Sequence, residues 1–158
     1  MTISHGLNDL IDPQAIALDL SSRSKKQLFR NLAERVAPLI GRDAELVVSV
    51  LGERERLGST GFGGGIAIPH GKIAGLDRVH GFVVRLAEPI DYDAIDRMPV
   101  DIVFMLLSPE DAGAEHLKAL ARVSRALRDR ELLDRLRGAG STDAIFALLS
   151  SDWTRDAA

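Results

Sequence analysis

Residues 58–72 read Gly58-Ser59-Thr60-Gly61-Phe62-Gly63-Gly64-Gly65-Ile66-Ala67-Ile68-Pro69-His70-Gly71-Lys72. Five glycines between positions 58 and 65 lead into a short apolar run, then a proline and a histidine. Glycine reaches backbone angles that other residues avoid, and with no side chain it lets another group approach the main chain. Successive backbone N–H groups in such a turn can form an anion-binding concavity. Pro69 fixes its own φ and pushes Ile68 into an extended conformation, so the chain enters His70 on a stiff support. An imidazole there keeps a large neutral fraction near pH 7 and suits nucleophilic work. The plain alternative is a surface loop with a packed histidine. No Gly-Lys-Ser/Thr follows the glycines, which excludes a nucleotide P-loop. Nor does a convincing strand precede them, as a dinucleotide fingerprint requires.

Outward from this stretch the periodicity alternates between strand and helix. Residues 1–12 read as a loose N-terminal segment, with His5 exposed and uninvolved. Ile16, Leu18 and Leu20 alternate with Ala17 and Asp19, as in a strand. Ser24 with Gln27 forms a capping box for a helix bearing Leu28, Phe29, Leu32, Val36, Leu39 and Ile40, closed by Gly41. Asp43 caps a second helix whose apolar face carries Val47, Val50 and Leu51. Continuing that face by three to four residues reaches Arg54, whereas Arg56 falls on another side. Arg54 is therefore expected to point inward near the start of the glycine loop, where a planar guanidinium suits phosphate recognition.

Downstream, Phe82, Val84 and Leu86 mark a strand, and residues 89–98 a connection. Asp91, Asp93 and Asp96 in that connection lack calcium-loop spacing and read as turn and capping residues. Residues 100–107 are almost continuously apolar, as in a strand covered on both faces. A helix over about 111–127 follows, with His116, Leu120, Val123 and Leu127 on one face. His116 is then either a rim histidine satisfied by a carbonyl or a second imidazole at a helix N-terminus, where the dipole disfavours imidazolium and favours an anion. Two short helices over 129–137 and 141–149 complete the pattern, with Ser141 as N-cap and residues 152–158, including Trp153, as a tail. Strands near Ile16, Phe82 and Val103, a short one at Ile66 and at least four helices indicate an α/β sandwich in one domain spanning 1–158.

Composition narrows the function classes. The chain has 158 residues, 46% of them apolar and only 4% aromatic, so it is an aliphatic globular protein. The absence of cysteine removes disulfides, thiol catalysis and thiolate metal sites, and fits a reducing compartment. No apolar run reaches membrane-spanning length and no leader-like pattern opens the chain, so the reading is cytoplasmic without membrane insertion. A net charge of −3 carries no basic footprint for nucleic acid.

Ser59-Thr60-Gly61 and Gly65-Ile66-Ala67-Ile68-Pro69-His70-Gly71-Lys72 closely resemble the active-site signature of enzyme IIA of the fructose–mannitol family of the phosphoenolpyruvate phosphotransferase system. The resemblance extends to Arg54-Glu55-Arg56-Leu57-Gly58, to Asp93-Ala94-Ile95-Asp96 with Pro99-Val100-Asp101, and to Glu115-His116-Leu117. Together these pieces are most similar to the nitrogen-related branch. The resemblance implies a mixed sheet with helices on both faces. It also implies that His70 accepts a phosphoryl group from phosphohistidine on a small HPr-like carrier, NPr in this branch. His116 matches the second active-site histidine, and Arg54 the arginine that helps hold the phosphate. Sugar-specific members tend to carry a glutamate where this chain has Gly64, which favours the regulatory branch.

Positioning and charge stabilisation should dominate such a transfer. The expected phosphate contacts are Arg54, His116 and the loop over Ser59, Thr60, Gly61, Gly63 and Gly65. No residue pattern calls for a metal, a nucleotide or another cofactor. The leading reading is a phosphocarrier whose state controls protein partners, such as components of potassium transport or of a sensor kinase, with self-association at most as a weak homodimer. The alternatives are a sugar-specific enzyme IIA passing phosphoryl to a IIB component, and a regulatory binding module without phosphoryl turnover. A zinc site built from His70, His116 and a carboxylate is a further, weaker reading, since two histidines leave zinc short of ligands.

Overall fold

The computed structural model describes residues 6–150, so His5 and Trp153 lie outside the described residues. In chain order the elements are β1 (Ile11–Leu20), α1 (Lys25–Ile40), α2 (Ala44–Arg56), β2 (Gly61–Gly63), β3 (Ile66–Ala67), β4 (His70–Ile73), β5 (His80–Ile90), β6 (Val100–Pro109), α3 (Ala114–Ala126), α4 (Arg130–Gly138) and α5 (Thr142–Ser150). The strands form one mixed sheet in the order β1-β5-β6-β3-β2, and β4 also pairs with β6. β5 and β6 run antiparallel at its centre, while β1 joins β5, and β3 and β4 join β6, in parallel. Helices cover both faces, as the resemblance implied.

The apolar run of β6 explains the layering. Val103, Met105 and Leu107 enter a cluster with Leu28, Leu32 and Val36 of α1 and Val47 and Leu51 of α2. Ile102, Phe104 and Leu106, one residue out of phase, enter the opposite cluster with Val123 of α3, Leu133 and Leu136 of α4 and Ile145 of α5. A strand with period-two side chains and two buried faces must be apolar throughout. Arg85, facing the second layer from β5, donates to the carbonyls of Leu136, Arg137 and Ala139 and so satisfies the last turn of α4.

Local signals set most boundaries. Ser24 accepts the Gln27 N–H at 3.1 Å, while the Gln27 side chain reaches back to the Arg23 N–H at 2.6 Å, one residue before the reciprocal contact of an ideal capping box. Gly41 closes α1 at φ 66°, where the left-handed conformation favours glycine. Three expectations need correction. The N-terminal segment is not loose from residue 6 onward: Leu7 and Leu10 are buried, the Leu7 N–H donates to the Leu149 carbonyl at 2.7 Å, and β1 already begins at Ile11. β5 runs on to Ile90, which pairs with Val100, so the connection is shorter than 89–98. The third helix starts only at Ala114, after Gly113 at φ 53°.

The sheet places two chain segments side by side against β6. β3 pairs Ile66 with Ile102 and Ala67 with Val103, and β4 pairs His70 with Leu106. Between them Ile68 and Pro69 stay in step, the Pro69 carbonyl accepting the Leu106 N–H at 3.0 Å. His70 is thus the first residue of a strand, not part of a loop. Among the described residues no helix is long and apolar enough to cross a membrane.

Candidate active site

His70 is held at both ring nitrogens. Its Nδ1 lies 2.7 Å from the Ile68 carbonyl oxygen, and a carbonyl only accepts, so Nδ1 carries the proton. Nε2 is then the lone-pair nitrogen, and Arg54 Nε–H donates to it at 3.1 Å. Arg54 occupies the last turn of α2 and also donates from Nη1 to the Gly58 carbonyl at 2.9 Å. The inward direction read from the helix face is therefore observed, and Arg56 is exposed.

His116, on the first turn of α3, closes the other side. Its ring centroid lies 5.6 Å from that of His70, with the planes inclined at 49°. His116 Nδ1 is 2.6 Å from Ser108 Oγ, at the end of β6. The satisfying partner is a buried serine and not a backbone carbonyl. Both rings are mostly buried, but His70 keeps 7% of its surface, so it is not sealed.

Burial lowers the pKa of His70, and the Arg54 charge adds to the effect, against opposing contributions from the Ile68 hydrogen bond and Glu55. Burial, assisted by positive charge at His70 and Lys72, lowers that of His116 to about 4. Two neutral imidazoles therefore face each other near pH 7, with one lone pair directed at a guanidinium.

Several of the other expected phosphate contacts have partners of their own. Thr60 is fully buried, and its N–H and hydroxyl both engage the Glu55 carboxylate, at 3.0 and 2.5 Å. The Gly61 N–H donates to Ser59 Oγ at 3.1 Å, and a Cβ at Gly61 would come within 3 Å of Ala94 and Tyr92. Gly63 and Gly65 flank Gly64, whose N–H donates to Asp96 Oδ2 at 2.9 Å. A Cβ at Gly63 would press on Asp96, and one at Gly65 on Arg137 and Asp101. The Glu55 carboxylate thus takes up the Thr60 donors and the Asp96 carboxylate that of Gly64, while Gly61, Gly63 and Gly65 each have tertiary neighbours where a Cβ would stand. Ser59, half-buried and next to Gly58, retains a hydroxyl proton to donate.

Glu55, which sequence reasoning passed over, organises what Arg54 stands on. Burial pushes its carboxyl up, but hydrogen bonds from Thr60 and from Lys25 Nζ at 2.9 Å outweigh that and hold it below the usual carboxylate range. Tyr92, fully buried, hydrogen-bonds Thr60 Oγ1 at 2.7 Å and takes the Lys25 ammonium over its ring at 4.6 Å. This network ties α1, the end of α2 and the turn into β2 together. Its sequence signal is only partial: Glu55 and Thr60 are close in the chain, whereas Lys25 and Tyr92 come from remote segments. Asp91 and Asp96 act as expected, accepting the Asp93 and Met98 N–H groups. Among the described residues no group of three or more His, Asp or Glu side chains is arranged to hold a metal ion.

The profile of the phosphoenolpyruvate-dependent sugar phosphotransferase system EIIA 2 family matches residues 9–152. The chain belongs to that family. It is similar to a nitrogen regulatory protein of Bradyrhizobium diazoefficiens, 46% identical over 144 residues, covering 91% of this chain and 94% of that protein. The nitrogen regulatory protein of Escherichia coli is 35% identical, covering 91% and 89%. Among solved structures, nitrogen regulatory protein IIA-Ntr from Neisseria meningitidis superposes with a TM-score of 0.86 at 34% identity, over 90% of this chain and 98% of that one. The E. coli mannitol IIA, at 21% identity and a TM-score of 0.73 over 87% and 97% of the two chains, shares the fold.

Two measurements test this account of the site. Thr60→Val leaves the buried Glu55 carboxylate short of a donor and should cost about 1–3 kcal/mol in urea denaturation; unchanged stability would show that Thr60 is not structural. His116 is ordinarily half-charged near pH 6.5 but stays neutral here to about 4, so the unfolded chain binds more protons in between. Its contribution to stability is complete above about 6.5 and is lost as pH falls toward 4. His116→Gln should flatten the decline in denaturation midpoint over that window, and an identical slope would contradict the assignment.

Proposed function

We propose that this chain is a phosphohistidine carrier of the nitrogen-related phosphotransferase system, with His70 as the phosphorylated residue. The observation that carries the reading is the tautomer of His70: Nδ1–H on the Ile68 carbonyl and a free-electron-pair Nε2 under a guanidinium. In the transfer, Nε2 attacks phosphorus in line with the imidazole nitrogen of a phosphorylated HPr-like carrier. The new Nε2–P bond forms as the donor N–P bond breaks, and the donor nitrogen takes that electron pair, leaving as neutral imidazole when its second nitrogen is protonated. The proton stays on Nδ1, hydrogen-bonded to the Ile68 carbonyl. Arg54 must release Nε2 for the attack and then meets the arriving phosphoryl oxygens with charge-assisted hydrogen bonds. In this reading Ser108 Oγ–H donates to His116 Nδ1, which puts the His116 proton on Nε2, available to the same oxygens.

The similarity to nitrogen regulatory proteins supports a regulatory output, through an NPr-like donor and protein targets such as potassium-transport or sensor-kinase components. Leu57 and Leu117, 84% and 67% exposed, follow Arg54 and His116 closely in the chain and offer apolar contacts beside a centre whose charge changes on phosphorylation. The second reading, a sugar-specific enzyme IIA, draws on the fructose-specific EIIABC component of Bacillus subtilis at 32% identity, against 46% for the regulatory relative.

Incubation with phosphoenolpyruvate and the upstream carrier proteins should add one phosphoryl group to the intact mass, lost in His70→Ala. Arg54→Gln should slow the transfer by about 10²–10³-fold, and Arg54→Lys should restore it only in part. Label retained in His70→Ala would end this reading.

A further inference from the structure

The glycine-rich β2–β3 turn forms one wall of a separate cavity of about 600 Å³. Gly63 and Gly64 supply bare backbone on that side, and a Cβ at Gly64 would meet nothing within 4 Å. The β2–β3 turn is tied in place. Arg137 Nη2 reaches from α4 to the Gly64 carbonyl at 2.9 Å while Nε and Nη2 grip Asp101 at 2.8 and 2.9 Å. Asp96 holds the Gly64 N–H from the other side. The space is thus cross-braced and not an accident of a loose loop.

Its lining is apolar within and cationic at the rim. Buried Ile66 and Leu133 line it, and Phe62 and Ile95, 43% and 70% exposed, stand at its mouth. Arg137 is neutralised by Asp101, but the side chains of Arg128 and Arg130 have no hydrogen-bond or ion-pair partner among the described residues. Asp134 lies on the same lining and Asp96 stands behind the Gly64 N–H, so the positive charge is local to Arg128 and Arg130, at the start of α4, and is not a property of the whole cavity. A few polar groups around an apolar space of this size is the make-up of a small-molecule site.

The cavity is distinct from the histidine pair. Ser124, which lines it, lies eight residues beyond His116 on α3, about 12 Å along the helix axis at 1.5 Å per residue. One residue links the two places: Ile68 lines the cavity, and its carbonyl holds His70 Nδ1–H.

We propose that this cavity binds a small organic anion with an apolar body, its acid group on Arg128 and Arg130 and its body against Phe62, Ile66 and Leu133. The proposal stands on this geometry whether or not His70 is phosphorylated. The test uses 8-anilinonaphthalene-1-sulfonate as probe, followed by fluorescence on the full chain. Saturable one-to-one binding is expected, displaced by decanoate and at least about ten-fold weaker for anilinonaphthalene lacking the sulfonate. Combined Arg128→Gln and Arg130→Gln should weaken the sulfonate about ten-fold or more, since both side chains are exposed and unpaired and their loss spares the fold. Ser124→Trp should abolish binding by filling the space, and Arg78→Gln, on another surface cavity, should leave it unchanged. Thermal melting by circular dichroism checks that each variant is folded. Binding undiminished in the double arginine variant and in Ser124→Trp overturns the proposal. So does loss of the probe signal as protein concentration rises with a dimer forming in sedimentation, because a second copy then covers this face.

Discussion

The hydrogen bond from His70 Nδ1–H to the Ile68 carbonyl, 2.7 Å long, is the constraint on which the site depends. It fixes the ring's tautomer, and the tautomer decides which nitrogen has an electron pair to offer. The bond forms where the chain runs on through Ile68 and Pro69 in step with β6, between β3 and β4. A carbonyl two residues back is thereby brought under its own side chain. Arg54 can approach Nε2 only because that nitrogen is unprotonated, so the guanidinium and the backbone carbonyl specify the same state from opposite sides of the ring.

Around that pair, charge is balanced by parts that never touch the ring. Glu55 follows Arg54 in the chain yet turns into the core, where Lys25, Thr60 and Tyr92 satisfy it. A carboxylate left unpaired there would cost several kcal/mol and displace the end of α2. Its negative charge also tempers the fall in the His70 pKa that burial and Arg54 produce. The result is a neutral imidazole with a cation poised above it. This arrangement suits receiving a dianionic group, with Arg54 passing from Nε2 to the arriving oxygens.

The sheet and its helices were legible because the code for them is local and periodic. Period-two apolar residues marked β1 and β5, a continuous apolar run marked β6, and helical spacing pointed Arg54 inward and put His116 on the buried side of α3. β4 escaped because four residues containing a glycine carry no readable period. The glycine run is ambiguous for a physical reason. A glycine needed for a positive φ and one needed because Tyr92 or Asp96 sits where a Cβ would go are spelled identically, and only the tertiary neighbours tell them apart from an anion cradle. Lys25 was invisible for a related reason: its partner Glu55 lies thirty positions away, beyond any spacing rule.

The most direct test of the central claim is to label the histidine rings with ¹⁵N, phosphorylate the chain through its carrier, and read the long-range ¹H–¹⁵N correlations. The account predicts that unmodified His70 at neutral pH is a neutral ring protonated on Nδ1, and that phosphorus then couples to Nε2. A ring protonated on Nε2 before the reaction, or phosphorus coupled to Nδ1 after it, would contradict the account.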